Sequence, residues 1–227
     1  MRQRGAALLV VMVMVLLATL LAAGAARTAW FNELITGIDA DHQRAFENAQ
    51  ALLRDAELDI QGRRPDGAPC QGGIAFEGSC RARSAQALAT GQPWLPQEGR
   101  AEFAPVHSWL APRTPSCAQG ICVPDQVMPE FWRQPKGELD RMKALAAHYG
   151  EFTGAPSMQA SNPLLMTKGW YWVEVLPFDG QAPSSAEALA PDPENAFVFR
   201  ITTLAEGRKP STRAVLQALF VWKKVDS

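Results

Sequence analysis

The stretch GAALLVVMVMVLLATLLAAGAA, residues Gly5 to Ala26, decides how the rest of this chain is arranged. Its twenty-two consecutive residues carry no charge, and Thr19 is the one hydroxyl among them. As an α-helix rising about 1.5 Å per residue it reaches about 33 Å, enough for the roughly 30 Å hydrocarbon layer of a bilayer. Six leucines and four valines, at roughly −0.3 to −0.6 kcal/mol each, favour insertion by about 3 to 6 kcal/mol. Arg2 and Arg4 precede the run, whereas Arg27, Glu33, Asp39 and Asp41 leave a net negative flank after it. The N-terminus is therefore expected inside the cytoplasm and the remainder outside it.

A secretory signal peptide is one alternative, because Ala23, Gly24, Ala25 and Ala26 suit a signal peptidase. Its apolar core would exceed the usual roughly 7 to 15 residues. A plain membrane anchor is another. The residues after the span argue for one uninterrupted helix, since all 17 prolines fall from Pro65 onward. After Arg27 the apolar residues thin to a stripe of Leu34, Ile38, Phe46, Ala49, Leu53, Ala56 and Ile60, with polar residues on the other side. Such a helix is expected to leave the membrane, pack its apolar face on its own domain, and stop at Gly62 and Pro65.

About 165 residues remain, enough for one domain with a core. A net charge of −1 gives no electrostatic footprint for nucleic acid, which calls for a clustered basic surface. Cys70, Cys80, Cys117 and Cys122 all lie beyond the span, in segments rich in glycine and proline, and exported thiols there should pair. Three connectivities exist. Proximity favours Cys70 with Cys80 and Cys117 with Cys122, each closing a short loop at low entropic cost. Zinc would call for tighter C-x-x-C spacing or nearby histidines, and only His107 is close.

From Gln61 to Lys168 turn signals dominate, with short helices expected near Arg83 to Ala89 and from Gly137 to Tyr149. Trp94, Trp109 and Trp132 invite a sugar-stacking reading, but large aromatics among prolines more often plug a small core. From Gly169 to Ser227 three strands are expected, Trp170 to Leu176, Phe197 to Leu204 and Ala214 to Trp222, in an antiparallel meander. In the first connection, Asp179, Asp192, Glu194 and Asn195 offer oxygen ligands of the kind calcium takes, although their spacing fits no EF-hand. The chain holds no Walker loop, G-x-S-x-G elbow, H-E-x-x-H or Rossmann fingerprint. His42, His107 and His148 lie far apart in sequence, so no enzyme and no cofactor is expected.

RQRGAALLVVMVMVLLATLLAAGAARTAWFNELITG, with RAFENAQALLRDAE close behind it, resembles the N-terminus of the type IV pilus assembly protein PilX family of minor pilins. The closing strands, with Tyr171-Trp172-Val173-Glu174, Phe199-Arg200-Ile201-Thr202 and Val215-Leu216-Gln217, resemble the same family in the same order. The resemblance implies that a prepilin peptidase cuts after Gly5 and leaves Ala6 as the new amino terminus. Shaft pilins carry a phenylalanine first and a glutamate fifth in the mature chain, where this one has Ala6 and Val10. That departure points away from a shaft subunit and makes Val10 a determinant of tip position.

The expected organisation is a leader over residues 1–5, a transmembrane helix over 6–27, an amphipathic continuation over 28–61, a disulfide-stapled loop-rich insertion over 62–168 and a β-meander over 169–227. The fold class is α+β and pilin-like, with the long helix packed on a three-stranded antiparallel sheet. Implied partners are other minor pilins and the major pilin, through the helix, a large PilY-type tip adhesin, the peptidase and the inner membrane. Implied roles are priming of pilus assembly at the tip, adhesion and twitching motility. The alternatives are a K-type minor pseudopilin of type II secretion and a membrane-anchored periplasmic binding domain.

Overall fold

The computed structural model of the chain describes residues 3–70, 80–82, 88, 91, 94–96, 99–124, 129–134, 136–156, 168–178, 191, 197–209 and 211–221. Helix α1 runs unbroken over Gln3–Gln61. Its first part belongs to a unit Met1–Gln43, and everything from Arg44 onward forms a second unit. In the first unit the hydroxyls of Thr19, Thr28 and Thr36 donate to the helix's own carbonyls at Leu16, Gly24 and Asn32. An apolar environment therefore meets no unsatisfied threonine hydroxyl there.

The end of α1 is set by Gly62, whose φ of 60° no β-carbon favours. Its N–H donates to the Asp59 carbonyl and the Arg63 N–H to the Leu58 carbonyl, the paired bonds of a Schellman stop. Only part of the expected stripe is buried. Ala45, Ala49, Leu52, Ala56 and Ile60 are fully buried, whereas Leu34, Ile38 and Phe46 are exposed and Leu53 is half-buried. The packed face thus uses spacings of three and four through Ala45 and Leu52, one helical position away from the stripe read from the sequence.

In the second unit, β1 (Cys117–Ala118), β2 (Ile121–Cys122), β3 (Gly169–Pro177), β4 (Phe197–Glu206) and β5 (Arg213–Phe220) form one sheet in the order β1-β2-β3-β4-β5. The expected meander is present as β3-β4-β5, antiparallel throughout, with Val173 opposite Ile201 and Thr203 opposite Leu216. Two short strands extend it beyond the expected three. β1 and β2 form a hairpin closed by Gln119 and Gly120, both at positive φ as a two-residue turn requires, and β2 pairs parallel to β3. Gly120 also lies so close to Ala147 that a β-carbon there would sit 2.6 Å from the Ala147 Cβ.

One face of the sheet packs Tyr171, Val173, Phe199 and Ile201 into a core with α1, and the Thr203 hydroxyl donates to the Ala49 carbonyl of α1. The other face carries Trp170, Trp172 and Leu204 into a second core, with the Cys117–Cys122 hairpin, Phe131 and α3 (Lys136–Ala144). Trp172 packs T-shaped with Phe131, ring centroids 4.7 Å apart, and donates its indole N–H to the Met142 carbonyl. Helix α3 ends at Ala144, short of the expected Tyr149, because Ala147 exchanges both backbone hydrogen bonds with Tyr171. Helix α2 (Phe103–Leu110) was not expected; Val106 and Leu110 anchor it in the first core. Of the helix expected near Arg83 to Ala89, all but Leu88 lies outside the described residues.

Candidate functional site

From Leu8 to Leu21 every leucine, valine and methionine of α1 is open, between 47% exposed at Val13 and 75% at Leu21. Trp30, Phe31, Leu34, Ile35 and Ile38 continue the exposed apolar surface. An apolar patch this extended marks contact with lipid or protein. Among the described residues α1 is one helix long and apolar enough to cross a membrane. Gly5 and Ala6 belong to the start of α1, and Val10 stands on the open surface with no carboxylate to offer.

At the other end of α1 the chemistry reverses. Asp55 and Asp59, one turn apart, are 2% and 3% exposed. The Asp59 carboxylate accepts from Arg81 Nε at 2.8 and 2.9 Å and from the Tyr171 hydroxyl at 2.9 Å. Asp55 accepts from the Gly150 N–H at 2.8 Å and from the Thr153 hydroxyl. Arg81 lies over the Phe152 ring at 3.7 Å and donates through Nη2 to the Gln119 carbonyl. Among the described residues its buried Nη1 has no hydrogen-bond partner. Five separate segments thus meet at the end of α1: the helix, the residues beside Cys80, the β1-β2 turn, the loop Tyr149 to Thr153, and β3.

Each protonation state has its cause in the surroundings. Burial pushes the Asp55 carboxyl up to about 6, although the Thr153 and Gly150 hydrogen bonds oppose it; Asp59 nearby adds to the rise. Burial alone would lower Arg81, but the charge and hydrogen bond of Asp59, together with Tyr171 and Glu151, more than offset this and the guanidinium holds its proton more firmly than usual. Burial, then the Asp59 charge, drives Tyr171 well above the ordinary phenol range, so its hydroxyl stays a donor. A buried pair of this kind adds little net stability by itself, but removing one partner leaves the other charged and dry.

Beside this cluster a cleft of about 300 Å³ is lined by Asp59, Arg63, Cys70, Arg81, Leu95 and Phe152, among others. Disulfides join Cys70 to Cys80 and Cys117 to Cys122. Both sulfurs of the second pair belong to buried residues, whereas Cys80 of the first is half-exposed. Trp94 is buried in the first core, and Trp109 and Trp132 pack half-buried against the two cores. His42 stands on α1, His107 on α2 and His148 after α3. Asp179, Asp192, Glu194 and Asn195 lie outside the described residues, and the described residues contain no acid, histidine or cysteine group arranged to hold a metal. The cluster of Asp55, Asp59, Arg81 and Tyr171 escaped the sequence reading. Its one local signal is a pair of acids at i, i+4 beside the buried positions Leu52, Ala56 and Ile60.

Fold and site together define an α+β domain carried on a single long apolar helix, which fits a single-pass membrane anchor. The sequence model described as type IV pilus assembly protein PilX C-term matches residues 78–222, well over half of the chain, and the chain belongs to that family. It is thereby a component of type IV pilus assembly, associated with the pilus machinery. No curated protein and no solved structure matches it. The segment Ala45 to Glu57 lies before the matched residues.

Proposed function

We propose that this chain is a minor pilin of a tip complex that primes type IV pilus assembly with other minor pilins, the major pilin and a large PilY-type adhesin, supporting adhesion and twitching motility. Its role is structural. The observation that carries the reading is the unbroken α1, whose first unit leaves its apolar side chains open on a chain of a pilus assembly family. In this reading the N-terminus faces the cytoplasm, a prepilin peptidase cuts after Gly5, and the domain stands in the periplasm before joining the pilus.

Val10 supports a tip position. Without a carboxylate at this point the subunit can receive a neighbour's glutamate on its Ala6 amine but has none to offer in return. A unit-charge pair at 4 Å is worth about 4 kcal/mol at an effective dielectric near 20, ample to bias position in a fibre. The experiment pairs N-terminal mass spectrometry of the mature protein with immunogold labelling of sheared pili. A start at Ala6 and label at one end are expected, with Val10→Glu bringing label into the shaft and Val10→Ala changing nothing. An intact Met1, or wild-type label spread along the shaft, overturns the reading.

A further inference from the structure

We infer that the Cys70–Cys80 disulfide is a redox latch that seats Arg81 against the buried carboxylates of α1. Three observations place it there. Arg81 directly follows Cys80, so the bridge that fixes Cys80 also fixes the start of the arginine. Cys70 is tied to the end of the helix through its N–H, which donates to the Gly62 carbonyl at 2.7 Å. The cleft that reaches Cys70 is lined by Asp59 and Arg81 themselves. The bridge thus spans from the helix stop to the cation from which Asp59 accepts.

The two disulfides differ in access. Cys117 and Cys122 face each other across paired strands in the second core and are both buried, whereas Cys80 is half-buried. Closure transfers two electrons and two protons from the Cys70 and Cys80 thiols to the disulfide of a thiol–disulfide oxidoreductase, which leaves as a dithiol; opening is the reverse exchange. With the latch open, Asp55 and Asp59 lose the restraint on their cation; Tyr171, Tyr149, Glu151 and Arg63 are the other titratable or charged groups around them among the described residues. Asp55, which burial raises to about 6, gives up its charge in mild acid and with it part of the attraction that seats Arg81. A bridge acting only through chain entropy has no such pH dependence.

Coupling is reciprocal: if the bridge seats Arg81, a seated Arg81 protects the bridge. The test reduces the full chain, in detergent micelles, with a phosphine, traps free thiols by alkylation, and follows each disulfide by peptide mass spectrometry. Arg81→Met should speed reduction of Cys70–Cys80 by roughly tenfold near neutral pH, with Arg81→Lys between the two, while Cys117–Cys122 stays as in the wild type. The acceleration should shrink at about pH 4, where the raised Asp55 carboxyl is protonated. An unchanged rate at Cys70–Cys80, equal acceleration at both disulfides, or an effect undiminished by acid overturns the latch.

Discussion

Along α1 the leucines from Leu8 to Leu21 stand more than half exposed, while further on the same helix Asp55 and Asp59 are almost wholly buried. The two stretches reverse the ordinary ordering of apolar inside and charged outside. The difference lies in where each finds its partner. The carboxylates are interior because Arg81, Tyr171, Thr153 and Gly150 bring donors to them from far along the chain. The leucines are exterior because, among the described residues, nothing in this chain covers them, and a membrane or another subunit is the cover their chemistry asks for. Burial in one helix thus reports two kinds of assembly: folding within the chain and insertion beyond it.

The sharpest way to break this contrast is Arg81→Met, which among the described residues leaves Tyr171 as the side chain still bonded to the Asp59 carboxylate. Urea unfolding of the full chain in micelles should then show a loss of about 3 to 5 kcal/mol. A loss below about 1 kcal/mol would mean that the pair behaves as a surface contact. A matched pair of truncations comes next: Leu52→Ala, at a fully buried position, should cost about 2 to 5 kcal/mol in the same measurement. Leu17→Ala, at an open one, should stay within about 0.5 kcal/mol. Equal costs would erase the distinction between the two stretches.

The third test is pH. The Asp55 carboxyl is raised from 3.8 to about 6 in the folded chain, so between those values the folded state holds a proton that the unfolded state has released. Stability from this group is therefore complete below the lower value and falls as pH rises through the upper one, by about 3 kcal/mol in all. Asp55→Asn should flatten that part of the unfolding free-energy profile. A wild-type profile that instead climbs over the same interval, with or without the substitution, would count against a buried Asp55.

The elements legible in the sequence are those whose signal is local. The apolar run, the stop at Gly62 and the three aromatic and β-branched strands need only neighbouring residues to announce themselves, and β3, β4 and β5 fall within two residues of the expected bounds. The short strands β1 and β2 exist because Gly120 and Ile121 pair with β3 half a hundred positions later, a contact that no window of sequence contains. The end of α3 was misplaced for the same reason, since Ala147 gives its backbone to Tyr171. On α1 an Asp reads as solvent-facing by composition. Asp55 and Asp59 are buried only through donors distant in sequence, so the cluster that closes the domain was the least visible part of it.

The spacing of those donors also orders events in time. A chain that emerges N-terminus first presents Asp59 before either of the two side chains that bond its carboxylate, Arg81 and Tyr171. Arg81 comes 22 residues later, whereas Tyr171 arrives 112 residues on. Each doubling of a loop adds only about 0.6 kcal/mol to its closure, but a contact cannot form before its residue has emerged. The arginine can therefore reach the helix acid before the strand that carries the tyrosine has emerged, so the two bonds to Asp59 differ in the earliest moment at which each can form.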